Sequence, residues 1–244
     1  MENMHIASAA HLSGKALPTA EALAKTFDHT FLKAFGGERE IAKLCAESEE
    51  YGFYSVMVNP CHVKFCRERL LGTEIKVGCV VGFPLGATTV DQKLYEADTA
   101  IADGADEIDY VLNIGALKDG NDELILGELR DMTELCHEAG KVVKVIFENC
   151  YLEKEEIVRA AQLAAQIKPD FIKTSTGFGT GGATTEDVRL MRAHTAKEVK
   201  VKAAGGIRTL QTCLDMLDAG AERIGISAGV EVLAELRAFT SPRS

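Results

Sequence analysis

Val77-Gly78-Cys79-Val80-Val81 contains no polar side chain. A strand with one face in water alternates apolar and polar residues. A run without alternation suits a parallel strand covered on both faces. Similar runs recur along the chain, and strands are expected at 26–30, 54–59, 76–82, 107–113, 142–148, 171–176, 200–206 and 223–227. Between them lie amphipathic stretches at 38–51, 61–70, 88–103, 122–139, 153–167, 185–196, 209–219 and 229–238. In 88–103, for example, Val90, Leu94, Ala97 and Ile101 fall at helical spacing. Eight strands, each followed by a helix, in 244 residues predict a (β/α)8 TIM barrel. A doubly wound open sheet is the second architecture that fits. No Pro/Ser-rich linker divides the chain, so residues 1–244 are read as one domain. The first 25 residues are expected to form an extension with an additional N-terminal helix.

The net charge is −10 and no basic block occurs, which argues against nucleic acid or an anionic membrane as a partner. No apolar run is long enough to span a bilayer, and Met1–Ala10 lacks the pattern of a signal peptide. Most of the seven cysteines, none in a CxxC pair, lie in apolar helix or strand patterns and read as small buried hydrophobes of a reducing, cytoplasmic compartment. Cys61, His62 and Cys66 have no matching second half for a metal cluster, so neither metal nor cofactor is expected.

In a barrel of this kind chemistry collects at the C-terminal strand ends. Phe171-Ile172-Lys173-Thr174-Ser175-Thr176-Gly177-Phe178 places a lysine inside an apolar strand, just before a glycine turn. A buried ammonium is costly unless paired or neutral, and a neutral amine is the form that attacks a carbonyl. Lys202, in Lys200-Val201-Lys202-Ala203-Ala204-Gly205-Gly206, repeats the pattern. A neighbouring ammonium lowers an amine's pKa by like-charge repulsion. Polar residues at other strand ends include Asp28, Thr30, Asn59, Glu148, Asn149 and Ser227. Asp109, Val111 and Asn113 share one face of strand four, while Asp106 and Glu107 are placed in the loop before it. An inward carboxylate there needs a cationic partner, catalytic or not. The loops Thr176–Ala183, Gly205-Gly206 and Gly225–Gly229 are glycine-rich and precede helices, an arrangement suited to a phosphate.

These motifs resemble those of the deoxyribose-phosphate aldolases, which are class I aldolases. The resemblance runs from about Thr26 to the last helix. It rests on Phe27-Asp28-His29-Thr30, Val58-Asn59-Pro60, Val81-Gly82-Phe83-Pro84-Leu85-Gly86, Glu107-Ile108-Asp109 and the two lysine motifs. It implies that Lys173 forms a Schiff base, that Lys202 is the second active-site lysine, and that Asp109 belongs to a proton relay. It also implies substrate contacts at Asp28, Thr176, Gly177, Gly205, Gly206 and Ser227. The implied substrate is a small phosphorylated sugar, 2-deoxy-D-ribose 5-phosphate, and the implied assembly a homo-oligomer, dimer or tetramer. Two positions depart from the family pattern: Met57, where a cysteine is common, and Ala228, where a second serine is common.

Two rivals remain open at this point. An epimerase or isomerase of phosphosugars would need the glycine loops and carboxylates but no imine-forming lysine. A non-catalytic phosphosugar-binding regulator could use the same fold.

Overall fold

The computed structural model of the protein describes residues 17–240. Eight parallel strands close into a barrel in sequence order. They are β1 Phe27–Thr30, β2 Ser55–Val58, β3 Lys76–Val81, β4 Glu107–Val111, β5 Val142–Ile146, β6 Phe171–Lys173, β7 Lys200–Ala204 and β8 Arg223–Ile226. The helices are α1 Ala20–Ala24, α2 Glu38–Tyr51, α3 Val63–Arg69, α4 Val90–Ala102, α5 Ile114–Lys118, α6 Asp122–Glu138, α7 Lys154–Ile167, α8 Thr185–His194, α9 Leu210–Asp218 and α10 Gly229–Thr240. Pairing of Asp28 with Gly225 and of His29 with Ile226 joins the first strand to the last, which rules out the open sheet. The extension contributes α1, capped by the Thr19 hydroxyl; the rest of its expected helix lies outside the described residues.

The main core fills the space between the sheet and the helices. Val56, Val77, Cys79, Ile108, Val145, Ile172, Val201 and Ile224 supply it from the outward face of the strands. Burying each such aliphatic side chain contributes about 1.5–3 kcal/mol. The alternate, inward residues divide into two halves. Met57 and Val80 join Leu32 and Phe83 in a small apolar cluster of their own. The other half, from β4 round to β1, is charged.

Expected and observed strands agree closely at their starts. In all but β1 the observed strand stops short of the expected C-terminal end. Beyond β6, for instance, the Thr174 amide still donates to the Lys202 carbonyl at 3.1 Å, but Thr174, Ser175 and Thr176 are no longer strand and stay buried. The Thr174 hydroxyl takes over, accepting from the Ala204 amide and donating to its carbonyl, both at 3.2 Å. Asn113 is also outside β4: its side chain caps α5, accepting from Ala116 N at 3.1 Å, so it does not share the barrel face with Asp109. Glu107, placed by sequence in a loop, is instead the first residue of β4 and points into the barrel.

Candidate active site

Strand register brings the two sequence-singled lysines side by side, with Lys173 opposite Lys202 across the β6–β7 pair. The Lys173 Nζ lies 2.9 Å from Asp109 Oδ2, and the Lys202 Nζ lies 2.7 Å from that same oxygen. Lys202 also donates to Asp28 Oδ2 in a short contact. The other Asp109 oxygen, Oδ1, accepts from Lys144 at 2.7 Å. Lys144 continues downward to Glu107 at 2.6 Å. Arg223 closes the floor, reaching Asp28 Oδ1 at 2.8 Å and Glu107 Oε2 at 3.3 Å, with its guanidinium 3.6 Å from the Tyr54 ring centroid. The Ser55 hydroxyl donates to Asp28 Oδ1 at 2.7 Å.

Lys144, Glu107 and Arg223 are not among the sequence-derived candidates. Lys144 carries the signal used for Lys173, a lysine inside the apolar run Val142–Ile146. Glu107 and Arg223 each open a strand, where a charge reads as a solvated end. In a barrel, that end points inward under the catalytic layer.

The network sets the protonation of its members. Burial alone would push the Asp109 carboxyl up, but Lys144, Lys173 and Lys202 together hold it well below the usual carboxylate range. Asp28 behaves alike: burial raises it, and Lys202, Arg223 and Lys144 more than reverse the effect. Lys144 is driven the other way, held protonated by Asp109, Glu107 and Asp28 in spite of burial. For Lys173 burial wins. It lowers the amine, Asp109 pulls it partly back, Lys202 lowers it again, and the group ends at about 8. Three carboxyl groups thus face four basic ones, and the Lys173 amine among them is lowered to about 8.

Lys173 also sits at the opening. It is 3% exposed while Lys144 and Lys202 are at 0%. It lines a cavity of about 760 Å³ together with Thr30, Thr176, Gly177, Gly205, Gly206 and Ser227. Lys33, Arg39, Lys43 and Arg208 also line it and outnumber the acidic Glu40 and Glu47 there. Asp109, Lys202 and Asp28 lie beneath it and do not line it. Asp28 therefore touches Lys202 and Arg223, not the open space where a substrate would sit. Gly177, Gly205 and Gly206 have φ of 87°, 86° and 77°, a left-handed backbone open to glycine at little cost. That geometry lets the loops after β6 and β7 come together over the lysines. Ser227 lies just before the N-terminus of α10, and Ala228 is half-buried beside it. Met57 is fully buried in the apolar half of the barrel, away from the charged network.

An amine of lowered pKa at a cavity edge, backed by a carboxylate shared between lysines, is the equipment for imine chemistry on a carbonyl compound. Basic residues and glycine turns around the same cavity suit an anionic group on that compound. The family model for DeoC/LacD family aldolases matches residues 22–235 of the chain. A deoxyribose-phosphate aldolase of Thermococcus gammatolerans is 52% identical over 217 residues, covering 88% of this chain and 96% of the relative. One from Lactobacillus acidophilus is 49% identical over 219 residues, covering 90% and 92%. The solved tetrameric structure of deoxyribose phosphate aldolase from Aeropyrum pernix aligns with a TM-score of 0.85 at 29% identity, over 92% of this chain and 94% of that one. The barrel, its lysines and these likenesses converge: the chain belongs to the DeoC/LacD aldolase family.

Proposed function

We propose that the protein cleaves 2-deoxy-D-ribose 5-phosphate reversibly to D-glyceraldehyde 3-phosphate and acetaldehyde through an imine on Lys173. The observation that carries this reading is the Lys173 amine itself, lowered to about 8 and placed at the cavity edge 2.9 Å from Asp109. The neutral amine attacks C1 of the open-chain sugar, and loss of water leaves an iminium. The iminium draws electrons from the C2–C3 bond once the C3 hydroxyl loses its proton. The three-carbon aldehyde departs, leaving an enamine on Lys173. Protonation of the enamine carbon and hydrolysis then release acetaldehyde and the free lysine. Asp109 and Lys202, with water, move these protons. Asp109, held ionised by the lysines around it, accepts a hydrogen bond from each of them and fixes where they point.

The substrate phosphate is assigned to Gly177, Gly205, Gly206 and Ser227, with Arg208 nearby on the same wall. Thr176 supports this side of the cavity, and Asp28 contributes from below by holding Lys202. The route needs neither metal nor cofactor. A homo-oligomeric, cytoplasmic enzyme fits the reading, and among the described residues no helix is long and apolar enough to cross a membrane.

Borohydride reduction in the presence of substrate, followed by mass spectrometry, tests the assignment. A stable adduct on the peptide carrying Lys173 is expected, and Lys173→Ala should show neither adduct nor aldol cleavage. An adduct at another lysine, or more than about one percent of wild-type activity in a folded Lys173→Ala protein, would overturn it. An epimerase, an isomerase or a non-catalytic binder would give no adduct at all.

A further inference from the structure

The proposed chemistry makes no use of Glu148, the residue two positions beyond the end of β5. Its backbone is left-handed, with φ 57° and ψ 61°, a conformation that disfavours a side chain with a Cβ. Its side chain is 1% exposed. Where Asp28, Glu107 and Asp109 are met by lysines and arginine, both Glu148 oxygens are taken by one uncharged residue. Oε1 accepts from the Thr176 amide at 3.1 Å, and Oε2 accepts a short hydrogen bond from the Thr176 hydroxyl. The Thr176 oxygen in turn accepts from the Phe178 amide at 3.0 Å. The carboxyl group therefore fixes Thr176 at the start of the turn Thr176-Gly177-Phe178, and the Thr176 oxygen ties down its far end. The chain then folds back onto the carboxyl group, for a Cβ at Gly179 would lie 3.2 Å from Glu148 Cδ. A buried acid met only by neutral groups, on an unfavourable backbone, is a costly way to make a merely structural contact.

From these contacts we infer that Glu148 is a positioning residue for the phosphate side of the cavity. It acts through Thr176 to hold the Gly177 backbone at the angle at which it faces the substrate's anionic end. The inference rests on the proposed phosphate site. The Glu148 carboxyl bonds to Thr176, while Lys173 bonds to Asp109, so its effect is on where the phosphorylated substrate sits, not on the imine. The carboxyl is matched to the task because it accepts twice, once from an amide and once from a hydroxyl. An amide in its place keeps the first bond and reverses the second, donating to the Thr176 oxygen.

The test is the ratio of kcat/KM for deoxyribose 5-phosphate to that for deoxyribose, in wild type, Glu148→Ala, Glu148→Gln and Thr176→Val. Wild type should prefer the phosphorylated sugar. Glu148→Ala should lower the ratio about tenfold or more, chiefly by raising KM for the phosphorylated substrate. Glu148→Gln should restore most of the preference, and Thr176→Val should lose it as Glu148→Ala does. Should Glu148→Ala fail to fold, the other two variants decide the matter. A wild type without preference defeats the phosphate-site reading and this inference with it. A wild-type preference kept in Glu148→Ala and Thr176→Val, or equal losses on both sugars, defeats the inference alone.

Discussion

An ordinary lysine titrates near 10.4, so roughly one molecule in 2,500 carries a neutral amine at pH 7. Lys173, at about 8, is neutral in about one molecule in ten under the same conditions. Burial is the larger cause and Lys202 an additional one. Lys202 works in a second way, because it also neutralises Asp28 and Asp109. Its removal takes away a repelling charge and leaves Asp109 more attractive to the proton on Lys173. Both effects raise the amine. For Lys202→Leu, the rate of imine formation as a function of pH should therefore rise toward its plateau at higher pH than in wild type, where the midpoint is near 8. An unshifted profile in a folded variant would mean that Lys202 does not tune the nucleophile. Lys173, Lys202 and Asp109 are legible in the sequence because a charge within an apolar strand is conspicuous. Glu107 and Arg223 are not, since the first residue of a strand looks the same whether it faces water or a barrel floor.

At the scale of elements, the sequence marks strand starts better than strand ends. Burial runs on past β5 and β6, through Phe147 and Glu148 and through Thr174, Ser175 and Thr176, while the strands themselves have ended. Periodicity reports burial, and these residues are largely buried without being paired as strand. The short helix α5 goes unforeseen for a similar reason: Asn113 reads equally well as a strand residue or as a cap. The β6 and β7 loops meet most closely at Gly182, where the Ala183 amide donates to the carbonyls of Ala204 and Gly205, each at 3.1 Å. A Cβ on Gly182 would lie 2.2 Å from Gly205 O, which is backbone and has little room to yield. Gly182→Ala should thus destabilise the protein by about 1–3 kcal/mol in chemical unfolding and weaken the preference for the phosphorylated sugar. Gly127, inside α6 with nothing within 4 Å of a built Cβ, is the control: Gly127→Ala should be neutral or stabilising by up to about 1 kcal/mol.

For the molecule as a whole, the barrel interior is an acid-sensitive structure. Asp28 and Asp109 are held below their unfolded values near 4 by the cations around them. A carboxyl with a lowered folded-state pKa binds protons more readily in the unfolded chain. Its contribution is present above pH 4 and is lost as the pH falls through the folded-state value. The urea midpoint should accordingly drop as pH is taken from about 5 to about 3. Asp28→Asn, less stable at neutral pH, should show a shallower drop, and an equal slope in both proteins would place the sensitivity elsewhere.

The bond between Asp28 and Arg223 joins residues 195 positions apart, on the two strands that close the barrel. Contacts of such separation form late, because the loop they close is nearly the whole chain. Until β8 docks against β1, the interior stands open to water and Lys173 keeps the proton affinity of any surface lysine. β8 is the last of the eight strands along the chain. The reactive amine is therefore absent from the growing chain and comes into being with closure. A partly made or half-opened barrel captures the aldehydes around it no faster than a surface lysine does, and the rate at which fast imine formation returns on refolding is a clock for the final strand.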